Sequence, residues 1–113
     1  MAGTFELYKD ARGEFRFRLK AGNGEKILAS EGYKSKSSAE NGIESVRKNA
    51  GDATRFEKKN ATNGKPFFVL KAANHQVIGT SELYESDAAR DAGIQSVARA
   101  ADGAAVNDQT SAA

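Results

Sequence analysis

Apolar and basic residues alternate strictly in Phe15-Arg16-Phe17-Arg18-Leu19-Lys20, the period-two pattern of a strand with one buried face. A second strand-like run, Thr4 to Lys9, precedes it across the turn Arg12-Gly13. Gly22-Asn23-Gly24 leads into a third run, Lys26 to Ser30, so a three-stranded meander is predicted. After Tyr33 the period changes. Ala39, Ile43, Val46 and Ala50 fall at i, i+4, i+7 and i+11, one stripe of an amphipathic helix. The capping-box spacing of Ser37 and Glu40 predicts that this helix starts there and runs to about Asn49.

The whole pattern then recurs. Displacing the chain by 51 residues matches Phe5 with Phe56, Phe17 with Phe68, Leu19 with Leu70, Asn23 with Asn74, Ser30-Glu31 with Ser81-Glu82, Tyr33 with Tyr84 and Gly42-Ile43 with Gly93-Ile94. About 19 of 51 positions are identical without a gap, which identifies a tandem duplication. The second copy predicts strands near Arg55 to Lys59, Pro66 to Lys71 and Gln76 to Ser81, then a helix from about Asp87 to Ala101. A short final strand at Ala104 to Asp108 and a frayed tail over Gln109 to Ala113 follow. Pro66 suits the first position of a strand, where a missing donor is tolerated. Gly42 and Gly93, inside the two helices at one repeat position, predict close approach of helix to sheet there.

One meander with one helix is a marginal unit of about 50 residues, whereas two can share a sheet and cover one face of it. The predicted fold is α+β: two tandem β3-α units, about 4–54 and 55–108, forming one domain over residues 1–113. It has one antiparallel-rich sheet, two helices on one face and pseudo-twofold symmetry. The segment that closes one copy becomes the strand that opens the next.

The element Tyr33-Lys34-Ser35-Lys36 with Asn41-Gly42-Ile43-Glu44-Ser45-Val46, together with Leu70-Lys71-Ala72-Ala73-Asn74 and Ile78-Gly79-Thr80-Ser81-Glu82-Leu83-Tyr84, resembles the YegP-like family of small, largely bacterial proteins. The resemblance runs from Phe5 to about Ala101. It implies a β3-αβ motif doubled into one sheet with exchanged C-terminal strands, in a family whose members carry the unit singly, as dimers or in tandem. It implies no established biochemical activity. The second copy departs from the pattern at Ala92, where the first has Asn41, and at Arg90, where it has Ala39.

Composition narrows the chemistry. There is no cysteine and one histidine, His75, which removes thiol nucleophiles and disulfides and argues against a histidine-built metal centre or triad. No cofactor or metal is expected. A net charge of +2 is too small to argue for nucleic acid by itself. No apolar run approaches the length of a membrane helix, and Met1 to Phe5 lacks the basic and apolar regions of a secretory signal, so a cytoplasmic protein is expected.

With Phe5, Leu7, Phe17, Leu19, Ile27, Phe56, Phe68, Leu70 and Ile78 turned to the helices, the opposite face carries Tyr8, Arg16, Arg18, Lys20, Phe67, Val69, Lys71 and Val77. This is the candidate binding face. Its first half is basic and aromatic, as in single-stranded nucleic acid platforms; in its second half Phe67 and Val69 replace Arg16 and Arg18, as on a protein-contact surface. A non-enzymatic interaction module is the leading expectation, with a protein partner or self-association, and single-stranded nucleic acid binding is the alternative. His75 is expected in a solvated turn. Ser30-Glu31 and Ser81-Glu82 are expected to make a structural hydrogen-bonding connection between strand and helix, and Asn41 to bond backbone or a neighbouring turn.

Overall fold

The computed structural model describes residues 3–110. β1 (Thr4–Lys9), β2 (Phe15–Lys20) and β3 (Lys26–Ala29) are followed by α1 (Lys36–Asn49). β4 (Phe56–Asn60), β5 (Pro66–Lys71), β6 (Val77–Thr80) and α2 (Asp87–Ala101) repeat that order, and β7 (Ala105–Asp108) closes it. The strands form one sheet in the order β4-β5-β6-β3-β2-β1-β7. The copies meet where β3 and β6 pair antiparallel at Ala29 and Thr80, residues 51 apart, so the pseudo-twofold axis passes between them. All neighbouring pairs are antiparallel except β1 and β7, which run parallel.

β7 carries the strand exchange, and it does so in one direction. It crosses from the end of the second copy to the outer edge of β1 in the first. The matching segment after α1, Thr54 to Glu57, starts in the short 3-10 turn Ala53–Arg55 and is already the beginning of β4, so β4 gains no corresponding neighbour.

Both helices lie over one core. Phe5, Leu7, Phe17, Leu19, Phe68 and Leu70 are fully buried beneath Ala39, Ile43 and Val46 of α1 and Val97 and Ala100 of α2. Each such Phe or Leu side chain contributes about 1.5–3 kcal/mol by leaving water. Phe5 and Phe56 meet Phe17 and Phe68 edge to face, at centroid distances of 6.1 and 5.6 Å. Ile27 and Ile78 are buried as the alternation requires, while Phe56 is half-buried at the sheet's edge.

Leu28 joins the core unexpectedly. A bulge shifts the register of β2 against β3 between Leu19 and Lys20, so the consecutive residues Ile27 and Leu28 both reach the core. Its repeat equivalent is Gly79, and a Cβ there would lie 2.6 Å from Leu28 Cδ2. One leucine fills the space at the axis that two would contest.

Helix starts differ from the capping-box expectation. The N-cap of α1 is Ser35, whose side chain accepts from the Ser38 amide, and that of α2 is Ser86, accepting from the Ala89 amide. Ser37 lies inside the first turn. Ser35 and Ser86 are identical at one repeat position, a signal that outranks the local spacing. Gly42 and Gly93 do mark close packing, filled by tyrosine: a Cβ at Gly42 would lie 2.9 Å from the Tyr33 hydroxyl, and one at Gly93 would lie 2.3 Å from that of Tyr84. Each tyrosine ring stacks on a core phenylalanine, Tyr33 on Phe17 at 6.3 Å and Tyr84 on Phe68 at 6.1 Å.

The Gln109 amide donates to the Leu7 carbonyl at 2.8 Å, which extends the β7 contact by one residue; positions 111–113 of the expected tail lie outside the described residues. Among the described residues, no helix is long and apolar enough to cross a membrane.

Candidate binding face

The sheet face opposite the helices is uncovered by any described element. Cross-strand register sets its side chains in rows. Glu6 stands beside Arg18, Tyr8 beside Arg16 and Thr4 beside Lys20, while Val69 lies between Glu57 and Thr80 and Lys71 beside Val77. All seven sequence-predicted face residues, Tyr8, Arg16, Arg18, Lys20, Phe67, Val69 and Lys71, therefore share one surface.

Carboxylates occupy that surface too. Arg16 Nε donates to Asp10 Oδ2 at 2.6 Å and Arg18 Nε to Glu6 Oε1 at 2.6 Å, while Lys20 Nζ reaches Glu6 Oε2 at 3.2 Å. On the other half Lys71 Nζ lies 2.6 Å from Glu57 Oε1. Each of the four cations thus has a partner. The Arg18 guanidinium also lies 4.7 Å from the centre of the Tyr8 ring, which occupies one face of the ring that would stack on a base. The pairing holds the carboxyls of Glu6, Asp10 and Glu57 below their usual ranges, chiefly through hydrogen bonds from Arg18, Arg16 and Lys71 respectively. The signal that reveals these partners is positional: Glu6 and Glu57 are the same repeat position and, two residues from Tyr8 and Lys59, fall on the basic face.

The apolar half is smaller than its sequence suggests. Val69 is on the face but only 5% exposed. Phe67 is half-buried, and Val77 is the most open apolar member at 43%.

The remaining candidates resolve into structure. Ser30 Oγ accepts from the Phe17 amide at 2.9 Å and donates to the Glu31 carbonyl at 2.8 Å; Ser81 does the same with Phe68 and Glu82 at 3.0 and 2.8 Å. Each serine thereby fastens the exit of the third strand to the middle of the second. Burial pushes the hydroxyls of Tyr33 and Tyr84 up from the usual phenol range. His75 is exposed in its turn at φ 70°, where Gly24 stands in the first copy. Asn41 departs from expectation: among the described residues its side chain makes no hydrogen bond to backbone, and it is exposed on α1, lining a groove with Ile43 and Val106.

Two open grooves are related by the repeat. One, of about 250 Å³, lies between the Ala21-Gly22-Asn23 turn and Ser96 and Arg99 of α2; the other, of about 280 Å³, lies between Ala72-Ala73-Asn74 and Ser45 and Lys48 of α1. Neither is lined by a carboxylate or by His75. Among the described residues no group of three or more His, Cys, Asp or Glu side chains is placed to hold a metal.

Known proteins share both sequence and fold with the chain. The UPF0339 protein YegP of Escherichia coli K12 is 56% identical over 110 residues, covering 97% of this chain and 100% of that protein. A UPF0339 protein encoded in the ptx operon 5′ region of Stutzerimonas stutzeri is 63% identical over 97 residues, covering 86% of this chain and 87% of the relative. The solution NMR structure of YegP from E. coli, described as a protein of unknown function, superposes with a TM-score of 0.93 at 54% identity, covering 100% of this chain and 97% of that one. That of UPF0339 protein SO3888 from Shewanella oneidensis gives 0.91 at 54% identity, with coverages of 97% and 93%. The model of the domain of unknown function DUF1508 matches twice, at residues 10–57 and 61–108. With both copies of the duplicated unit matched and more than half of its sequence shared with YegP, the chain belongs to the YegP-like DUF1508 family, in its tandem form.

Proposed function

We propose that the protein is a non-enzymatic interaction module that contacts a protein partner through its open sheet face. The observation that carries this reading is the state of the face: uncovered, with Arg16, Arg18, Lys20 and Lys71 each already paired to a carboxylate, and bordered by Phe67 and Val77. Such a mosaic of fixed polar pairs and a few apolar contacts matches the make-up of non-obligate protein interfaces. The alternative, single-stranded nucleic acid, gains nothing from it. Cations that already hold carboxylates attract phosphate weakly and release few counterions on binding.

A photo-crosslinking residue placed at Phe67 in living cells, with one at Lys48 on the helical side as control, tests the proposal. The expected result is discrete protein adducts from position 67 that position 48 does not give. Nucleic acid adducts from position 67, or a pattern the same at both positions, would refute it. Titration with a labelled single-stranded oligonucleotide at two salt concentrations is expected to show no salt-sensitive binding.

A further inference from the structure

The two ends of the sheet are not alike. At one, the outer edge of β1 is filled by β7 in the parallel register Phe5↔Val106 and Leu7↔Asp108. Val106 rests beside Ile43 and Glu40 of α1, and Lys36 at the start of α1 binds Asp108. β4 is the repeat equivalent of β1, and among the described residues nothing pairs with its outer edge. The groove between β4 and α2, lined by Phe56, Lys58, Asp91 and Ile94, measures about 410 Å³, whereas its counterpart beside Val106 measures about 200 Å³. The helix residues that line the two grooves correspond, Ile94 to Ile43 and Asp91 to Glu40, while Phe56, open to the groove at the free end, is the equivalent of the fully buried Phe5. A free backbone edge with a side-chain groove alongside is the geometry of strand addition, and the filled end shows how a strand sits there.

Charge decides which strand fits. The position of Lys36, which holds Asp108 at the filled edge, is Asp87 at the free one. Asp87 is 78% exposed, and its contact with Arg90 is long, at 3.6 Å. A second copy of β7 would set its Asp108 against Asp87 and opposite Lys58, which takes the place of Leu7 in the register but whose ammonium is drawn to Asp91 at 3.2 Å; Asp87 is then the open charge, and a strand with a lysine or arginine there would form the same pair with signs reversed. Like charges exclude the wrong strand as effectively as opposite charges select the right one. Lys58, which replaces Leu7 and lies 3.2 Å from Asp91, and Lys59 make the bare edge a poor template for a second β4.

We propose that the outer edge of β4 is a strand-addition site for a partner protein. The occupant is an extended segment running parallel to β4, with an aliphatic residue against Phe56 and Ile94 and a lysine or arginine two residues later against Asp87. The site is separate from the open face and does not depend on it.

Two synthetic peptides test this against the full-length protein: residues 103–110 of this chain, and the same peptide with Asp108→Lys. Backbone amides are followed by NMR during titration. The lysine peptide is expected to shift the amides of Phe56 to Asn60 and to bind at least about tenfold more tightly than the unaltered one, which corresponds to about 1.4 kcal/mol. Asp87→Lys, at an exposed helical position, is expected to reverse the preference. The proposal fails if neither peptide shifts β4, if shifts are confined to β1 and β7, if Asp87→Lys leaves the preference unchanged, or if β4 amides respond to protein concentration alone.

Discussion

Ser30 and Ser81 hold the Phe17 and Phe68 amides in the middle of β2 and β5, donors that have no other means of satisfaction in a buried strand. Ser30 is 7% exposed and Ser81 is more open. Ser30→Ala is therefore expected to cost about 1–3 kcal/mol, the penalty of a buried unpaired donor, and Ser81→Ala less; chemical denaturation of both variants measures the difference. Helix caps give a second residue-scale prediction. Ser35→Ala and Ser86→Ala should each cost about 1 kcal/mol, while Ser37→Ala, at the position the local spacing favours, should stay within about 0.5 kcal/mol of the parent. These serines show what one sequence hides and a duplicated one reveals. The Ser37/Glu40 spacing is a local pattern, whereas Ser35 and Ser86 recur because both copies need the same cap. The face cations were legible from strict alternation in Phe15 to Lys20. Their carboxylate partners were not, because pairing Arg18 with Glu6 or Arg16 with Asp10 requires the register between strands as well as the period within one.

At the level of elements, the strands and helices followed from periodicity, and the departures have physical causes. Leu28 faces the core because a bulge breaks the period-two count, and β7 lies on β1 because its groove and Lys36 await it there. The hydrogen bond from Lys36, with those from Thr110, lowers the Asp108 carboxyl from 3.8 to about 2. A carboxyl with a lowered folded-state value stabilises its contact fully above the unfolded value and ceases to do so as pH falls through the folded one. β7 should thus remain docked above about pH 4 and loosen between there and about pH 2. Protection of the Gln109 amide, which bonds the Leu7 carbonyl, should fall over that range before the Leu19 amide responds. Lys36→Met should move the Asp108 titration back toward 3.8, as followed by carboxyl NMR shifts. At the axis, Gly79→Leu should destabilise by about 1–3 kcal/mol through overpacking against Leu28. Adding Leu28→Gly should recover most of that loss, since the pair exchanges equivalent positions; thermal melts of the single and double variants decide it.

Across the whole molecule, duplication explains both the order and the asymmetry. Two copies that share a core stay equal where they face it, as at Phe5 and Phe56, Phe17 and Phe68, or Val46 and Val97. They diverge where their surroundings differ: Leu7, covered by β7, has become Lys58 at the bare edge, and the buried Ala39 has become Arg90, which lies between Asp87 and Asp91. Sharing also predicts how the protein unfolds. With β3 and β6 paired across the axis and α1 and α2 set over one apolar cluster, neither copy has a complete core alone. Native-state hydrogen exchange at the Leu19 and Leu70 amides, equivalent positions in β2 and β5, measures this directly. One common opening free energy for the two amides, equal to that of global unfolding, is the expected result; separate values, with one copy opening while the other stays protected, would contradict it.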